Sequence, residues 1–227
     1  MLYSIKKVHL IGVGGIGMSG IAELLKNKEF MVSGSDIADS PNVQRLIDLG
    51  INVSIGHNKE NISDAELVIF SDAIPNDNVE LIEALSKNIL VYSRARMISE
   101  IAKLNNSTVA ISGTHGKTTT TSMVGTILKE IDLDPTIIVG GVIKSLESNS
   151  VLGTGDTFVV EADEYNKSLL HLSPTIAVIN NIDFEHIECY KDVDDLKDTF
   201  LQFANSVPFY GTVCLRKDSN NVASILP

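Results

Sequence analysis

The stretch SGTHGKTTTT, residues 112–121, combines two glycines, a lysine and a run of hydroxyls. That is the equipment of a phosphate-binding loop. Glycines let backbone N–H groups close around a phosphate, a lysine reaches the terminal phosphates, and a hydroxyl faces magnesium. The common form of that loop places four residues between its first glycine and its Gly-Lys pair. Here Gly113 is followed only by Thr114 and His115 before Gly116 and Lys117, and the longer loop would have to begin at Ile111. Thr118 and Thr119 follow the lysine. The bland alternative is a polar helix cap with an exposed lysine, but the junction between a strand and a helix favours the phosphate loop.

Three more stretches carry compatible chemistry. GVGGIGMSG, residues 12–20, holds Gly12-x-Gly14-x-x-Gly17 between a strand and a helix, and Asp36 ends the next strand, where an acid can accept from a ribose hydroxyl. A nicotinamide dinucleotide or any other nucleotide diphosphate would satisfy this pattern, and so would a tight turn without a ligand. TFVVEADE, residues 157–164, delivers Glu161, Asp163 and Glu164 at the end of a buried strand, the place for a magnesium carboxylate beside a phosphate loop. NNIDFEHIECY, residues 180–190, sets His186 among acids after another buried strand, which makes it a candidate ligand. His9 reads as structural or as a loop-side contact.

The elements that must position these residues alternate in type. Apolar runs at residues 8–11, 30–36, 51–56, 65–75 and 89–93 predict strands, separated by helical patterns at 16–28, 40–50, 78–87 and 94–104. After a polar break at 105–107, strands are expected at 107–112, 135–141, 157–163, 174–183 and 211–216, with helices at 117–131 and 193–207. This is the rhythm of open parallel α/β sheets, read as a Rossmann-like unit over residues 1–104 and a partial nucleotide-binding α/β unit over 105–227.

Bulk properties narrow the classes further. The 227 residues are 44% hydrophobic, enough for sizeable cores, and carry 18 basic against 29 acidic side chains, a net charge of −11. Such an acidic chain is a poor non-specific ligand for nucleic acid or anionic membrane. The N-terminus has neither a cleavage-site pattern nor a long apolar stretch, so a cytoplasmic location is expected. Cys189 and Cys214 are too isolated for a zinc site or a disulfide framework and are expected to be free thiols.

Taken together, HLIGVGGIGMSGIAELL, SGSD, SGTHGKTTTT, VEADE and LHLSPTIAVINNID with its following histidine resemble the Mur ligases, ATP-dependent amide-forming enzymes of bacterial cell-wall precursor synthesis. The resemblance covers essentially the whole chain and is nearest to the alanine-adding branch. It implies that the short loop binds ATP through Gly113, Thr114, His115, Gly116, Lys117, Thr118 and Thr119, with Asn181 also at the nucleotide. It implies that Lys117, Glu161 and His186 are catalytic, and that Thr118, Glu161 and His186 hold magnesium, as two ions. It redirects the first glycine cluster from a dinucleotide to the UDP end of UDP-N-acetylmuramate, held by Gly14, Gly15, Ile16, Gly17, Met18, Ser19, Asp36, His57, Ser71 and Arg94. L-Alanine is the implied amine, with glycine and serine open.

The chain departs from the family pattern at Asp72, Arg96, Tyr165, Asn166 and Glu185, which puts details of sugar and outer contacts in question. Family members have three domains. The expectation here is the first and about half of the second, a fragment that does not ligate by itself. The rival readings are a ligase that attaches a preformed peptide to the same sugar nucleotide, a non-catalytic sugar-nucleotide module, and a dinucleotide-dependent oxidoreductase. The last would leave the short loop and VEADE without a role.

Overall fold

The computed structural model describes residues 5–143, 148–184 and 189–225. They fall into two compact units, Met1–Met97 and Ile98–Pro227, each built on its own sheet. The first unit contains five strands, β1 (Lys7–Ile11), β2 (Met31–Asp36), β3 (Asn52–Ile55), β4 (Leu67–Phe70) and β5 (Leu90–Ser93). They lie in the order β3-β2-β1-β4-β5, and every pairing is parallel. Helices α1 (Ile16–Asn27), α2 (Pro41–Asp48) and α3 (Val79–Ser86) connect them. β4 reads as an unbroken apolar run and β1 as one interrupted by the buried His9, and Leu10, Ile11, Leu67, Val68 and Ile69 are fully buried, as expected for central strands covered on both faces.

Strand order reverses beside β1. The chain goes outward from β1 through β2 to β3, then returns to β4 on the other side. In an open α/β sheet the carboxyl end of that reversal is the natural crevice for a ligand, and the first glycine cluster follows β1 into it. The close approach of that loop to β2 depends on Gly34. A Cβ at Gly34 would stand 2.8 Å from Val13 Cβ and 3.0 Å from the Leu10 carbonyl oxygen.

The second unit has β6 (Ser107–Ser112), β7 (Thr136–Ile143), β8 (Ser148–Val151), β9 (Thr157–Glu161), β10 (Ile176–Ile179) and β11 (Thr212–Leu215). Their order is β11-β10-β6-β9-β7-β8. The α/β class is as read from the sequence, but this sheet is mixed, because β8 runs antiparallel to β7. β8 was not expected. Its sequence, SNSV, offers neither an apolar run nor an alternation. Helices α5 (Lys117–Glu130), α6 (Val193–Asn205) and the short α7 (Asn220–Ala223) belong here, and α4 (Arg94–Ala102) spans the boundary between the units.

The reversal in this sheet falls at β6, with β9 on one side and β10 on the other. Register then brings three strand ends together, because Ile111 pairs with Glu161 and Ser112 pairs with Ile179. Val109, Ile111, Ile137, Val139 and Val159 form the core beneath them.

Replacing Gly34 by alanine is expected to destabilise the first unit by about 1–3 kcal/mol through overpacking against Val13. A lowered denaturant midpoint in that unit, with that of the second unit unchanged, is the measurement that checks it.

Candidate functional site

Two helices follow glycine loops, and both start without a side-chain cap. α1 begins after Gly15 and α5 after Gly116, neither with a capping bond. By contrast α2, α3 and α6 are capped by Ser40, Asn78 and Asp192. An uncapped N-terminus presents N–H donors and the positive end of the helix dipole to an anion.

In the second unit the loop between β6 and α5 is shaped by Gly113 at φ +133° and Gly116 at φ +79°, conformations that side-chain-bearing residues avoid. The end of β10 holds the loop from outside. Asn181 Oδ1 accepts from the His115 N–H at 2.8 Å, and Asn181 Nδ2 donates to the His115 carbonyl at 3.0 Å. Thr114 Oγ1 donates to the Asp183 carbonyl at 3.0 Å and accepts from the Asp183 N–H at 2.9 Å. Asn180 Nδ2 donates to Thr120 Oγ1 at 3.0 Å. The Asn181 side chain is therefore engaged with the loop backbone, and Thr114 with the β10 exit. The exposed His115 ring lies 3.7 Å from Asp183 Oδ2.

Lys117, in the first turn of α5, folds back over this loop. Its Nζ donates to the Gly113 carbonyl at 2.8 Å, the Thr114 carbonyl at 3.3 Å and Glu164 Oε2 at 2.7 Å. Glu164 is 1% exposed. Burial pushes its carboxyl above the usual carboxylate range, against the pull of Lys117. The pairing was not legible in sequence, since the partners lie 47 positions apart and only the shared sheet edge joins them. The Glu164 carbonyl accepts from the Tyr190 hydroxyl.

Glu161 ends β9 beside Ile111. Burial raises its pKa, opposed by hydrogen bonds from the Thr118 side chain and the Gly140 N–H and by the charge of Lys117. Its Oε1 is buried without a hydrogen-bond partner. A Thr hydroxyl touching a carboxylate with one unmet oxygen, both hard oxygen donors, is a donor set that fits magnesium. Among the described residues no three His, Cys, Asp or Glu side chains cluster to hold a metal. His186 lies outside the described residues, as does Glu185. Asp163 is turned to its own backbone, its Oδ1 accepting from the Tyr165 N–H at 3.1 Å. Beyond it Asn166 and Lys167 adopt φ of 53° and 55°, consecutive left-handed residues that follow VEADE after Tyr165. Thr119 follows Thr118 in the first turn of α5.

In the first unit Gly14 and Gly15 lead into α1, and Ile16 and Gly17 are its first residues. Met18 and Ser19 are buried, with Ser19 Oγ donating to the Ile16 carbonyl at 3.0 Å. Asp36 Oδ2 accepts from the Gly14 N–H at 2.8 Å, so it holds the glycine loop. Arg94 opens α4 and lies over Gly17, where a Cβ would meet Nη1 at 2.5 Å. Asp72, one of the departures from the family pattern, sits 3.4 Å from the Arg94 guanidinium. Another departure, Arg96, stacks on the Tyr92 ring at 4.0 Å. Ser71 follows β4 and accepts from the Ala73 N–H at 3.4 Å.

His57 belongs to a buried network that the sequence did not reveal. At its centre is Glu80, in the first turn of α3 and fully buried. Oε2 accepts from Ser35 Oγ at 2.5 Å and lies 3.4 Å from His57 Nδ1 and 3.5 Å from His9 Nε2. Oε1 accepts from Asn61 Nδ2 at 2.6 Å and the Asn58 N–H at 3.1 Å. Burial alone would raise this carboxyl, but bonds from His9, Ser35, Asn61 and Asn58 outweigh it and bring the pKa down to about 2. An acid two residues after an Asn cap reads as a solvated first-turn residue, which is why Glu80 escaped notice.

Both free cysteines are as expected. No helix among the described residues is long and apolar enough to cross a membrane.

Comparison with known proteins shows the family and the fold. Residues 7–106 match the model of the Mur ligase family catalytic domain, and residues 111–226 that of the Mur ligase middle domain. The chain is 50% identical over 227 residues to a UDP-N-acetylmuramate–L-alanine ligase of Geotalea uraniireducens, covering all of this chain and 49% of that protein. It is 48% identical to the ligase of the same name from Sulfurihydrogenibium, covering 98% and 49%. Among solved structures, a UDP-N-acetylmuramate-alanine ligase of Thermotoga maritima superposes with a TM-score of 0.85 at 29% identity, over 96% of this chain and 51% of the other. A UDP-N-acetylmuramate:L-alanyl-γ-D-glutamyl-meso-diaminopimelate ligase of Neisseria meningitides gives 0.87 at 27%, over 98% and 74%. The chain thus spans about half the length of the curated relatives it matches.

The ionised Glu80 should make the first unit acid-labile. A carboxyl at about 2 in the fold, against an ordinary 4.5, gives stability that is complete above the ordinary value and lost as pH falls toward 2. The loss is expected to be on the order of 3 kcal/mol. Denaturant unfolding of the first unit from pH 6 to 2 checks this, and the slope over that window should flatten in Glu80→Gln.

Proposed function

The chain belongs to the Mur ligase family, and from that premise we propose that it forms the sugar-nucleotide and ATP sites of a ligase joining L-alanine to UDP-N-acetylmuramate. The observation that carries the reading is the convergence at the end of β6. The loop lysine, the Thr118 hydroxyl and Glu161, with its unmet buried oxygen, share one strand edge. Identity of 50% to a protein named as an alanine-adding ligase supports alanine as the amine.

In this reading the muramoyl carboxylate attacks the γ-phosphorus of ATP, forming an acyl phosphate as ADP leaves. The alanine amine then attacks the acyl carbon, giving up a proton, and inorganic phosphate leaves. The uncapped start of α5 and the Gly113–Gly116 loop bind the phosphates. Lys117 exchanges its contacts with Glu164 and the loop carbonyls for phosphate oxygens, and so stabilises charge on the transferring group. Asn181 and Thr114 keep the loop in the shape that its glycines permit. Magnesium, when bound by Thr118 and Glu161 with His186, supplies charge neutralisation between a carboxylate and a triphosphate. In the first unit the α1 N-terminus and Arg94 take the UDP diphosphate, while Asp36 holds the turn. A complete ligase draws its remaining contacts to ATP and the amino acid from the part of the relatives beyond this match.

A second reading, attachment of a preformed peptide to the same sugar nucleotide, has the support of the TM-score of 0.87 to the Neisseria enzyme. Offering alanine and the tripeptide to the full-length enzyme separates the two.

Calorimetric titration of the chain with UDP-N-acetylmuramate is expected to give saturable binding, and NADH none. The reverse pattern would overturn the reading in favour of an oxidoreductase. Lys117→Ala should weaken ATP binding at least about 10-fold, through loss of charge-assisted bonds. It should leave the sugar nucleotide unaffected.

A further inference from the structure

The buried network around Glu80 lies at the carboxyl edge of the first sheet and takes no part in the phosphate contacts described above. Its hydrogen bonds can be assigned one donor at a time. The Glu80 carboxylate has only acceptors. Ser35 Oγ donates its single proton to Glu80 Oε2 at 2.5 Å. Ser35 Oγ can therefore only accept from His57 Nδ1, which stands 3.2 Å away. The other neighbour of that nitrogen is Glu80 Oε2 at 3.4 Å, again an acceptor. Both partners of Nδ1 thus demand a proton on it. A neutral imidazole carries one N–H, so the second nitrogen, Nε2, is left bare as an acceptor. Nε2 has no protein partner among the described residues, and the His57 side chain is 16% exposed where Glu80 is fully buried.

Ser35, whose hydroxyl bonds Glu80, also bonds the glycine loop through its backbone. The Ser35 carbonyl accepts from the Gly12 N–H at 2.8 Å and the Val13 N–H at 3.0 Å. The Asp36 carbonyl accepts from the Gly56 N–H at 2.7 Å, one residue before His57. Glu80 thus reaches the loop through Ser35, and holds the His57 ring both directly and through the same hydroxyl.

We propose that Glu80 is a positioning residue for the ligand of the first unit, fixing His57 as the Nδ1–H tautomer so that its bare Nε2 accepts from an N–H or O–H of the uridine or sugar. This rests on the sugar-nucleotide reading for the identity of the ligand, but the tautomer itself does not. The device makes His57 a group that reads a donor and gives no bond to phosphate, leaving the diphosphate to the α1 N-terminus and Arg94. In Glu80→Gln the amide oxygen can keep the Asn58 and Asn61 bonds. Its NH₂ then faces Ser35 Oγ, whose proton turns toward His57 Nδ1 and reverses the tautomer.

Long-range ¹H–¹⁵N correlation of the histidine rings near pH 9 reads this directly, with His57 assigned by its absence in His57→Gln. Wild type is expected to show the Nδ1–H tautomer for His57, and Glu80→Gln the Nε2–H form. UDP-N-acetylmuramate affinity should fall about tenfold in Glu80→Gln, the worth of one hydrogen bond, with retained dispersion of the first unit's backbone amide signals as the control for folding. An Nε2–H tautomer in wild type overturns the proposal even if the variant fails to fold. So does an unchanged sugar-nucleotide affinity in a variant whose tautomer has switched. Wild type that shows the Nδ1–H form yet binds no sugar nucleotide would refute the ligand reading and leave the tautomer assignment standing.

Discussion

The starts of α1 and α5 carry no capping side chain, and much of what surrounds them follows from leaving those ends open. A missing cap costs about 0.5–2 kcal/mol in an ordinary helix. An exposed glycine-rich turn before it adds conformational entropy to be lost on folding. Both turns are held instead by the neighbouring strand. In the first unit the Ser35 carbonyl and the Asp36 carboxylate take the N–H groups of Gly12, Val13 and Gly14. In the second, Asn181, Thr114 and Asn180 tie the loop to the exit of β10. The anchors hold each turn without capping the helix N-terminus.

Buried carboxylates have different tasks in the two units. Glu80 is surrounded by donors and stays ionised, so it works as a fixed acceptor. Glu161 and Glu164 are pushed up by burial and are only partly compensated, by Thr118 and Gly140 in one case and Lys117 in the other. Under-compensated acids beside a lysine and a hydroxyl suit a site that gains cationic and phosphate partners. A fully compensated acid suits a permanent support. A net charge of −11 does not by itself exclude an anion site, because the local donors at a strand edge decide, not the total.

Much of this was legible from residue order. Alternating apolar runs and helical patterns gave nearly every strand and helix, and the strand–glycine–helix junctions located both turns. What escaped was long-range. SNSV forms β8 through pairing with β7 and not through any pattern of its own. Lys117 meets Glu164, and Glu80 meets His9 and His57, only because parallel strands bring their ends to one edge. The hydrogen bonds of Asn181 and Asp36 to the loop backbones likewise depend on residues far apart in the chain. A sequence motif identifies which residues gather at a site, but the division between those that touch ligand and those that hold the loop depends on register.

The central claim is that each glycine turn serves its own nucleotide. Amide chemical-shift mapping of the ¹⁵N-labelled chain, titrated in turn with UDP-N-acetylmuramate and with Mg²⁺-ATP, tests it in one experiment. The account predicts that the sugar nucleotide moves the amides of Gly14, Gly15 and Gly17, and that ATP moves those of Gly113, Gly116 and Thr118, with little overlap. Perturbation of a single turn by both ligands, or of the first turn by ATP alone, would contradict it.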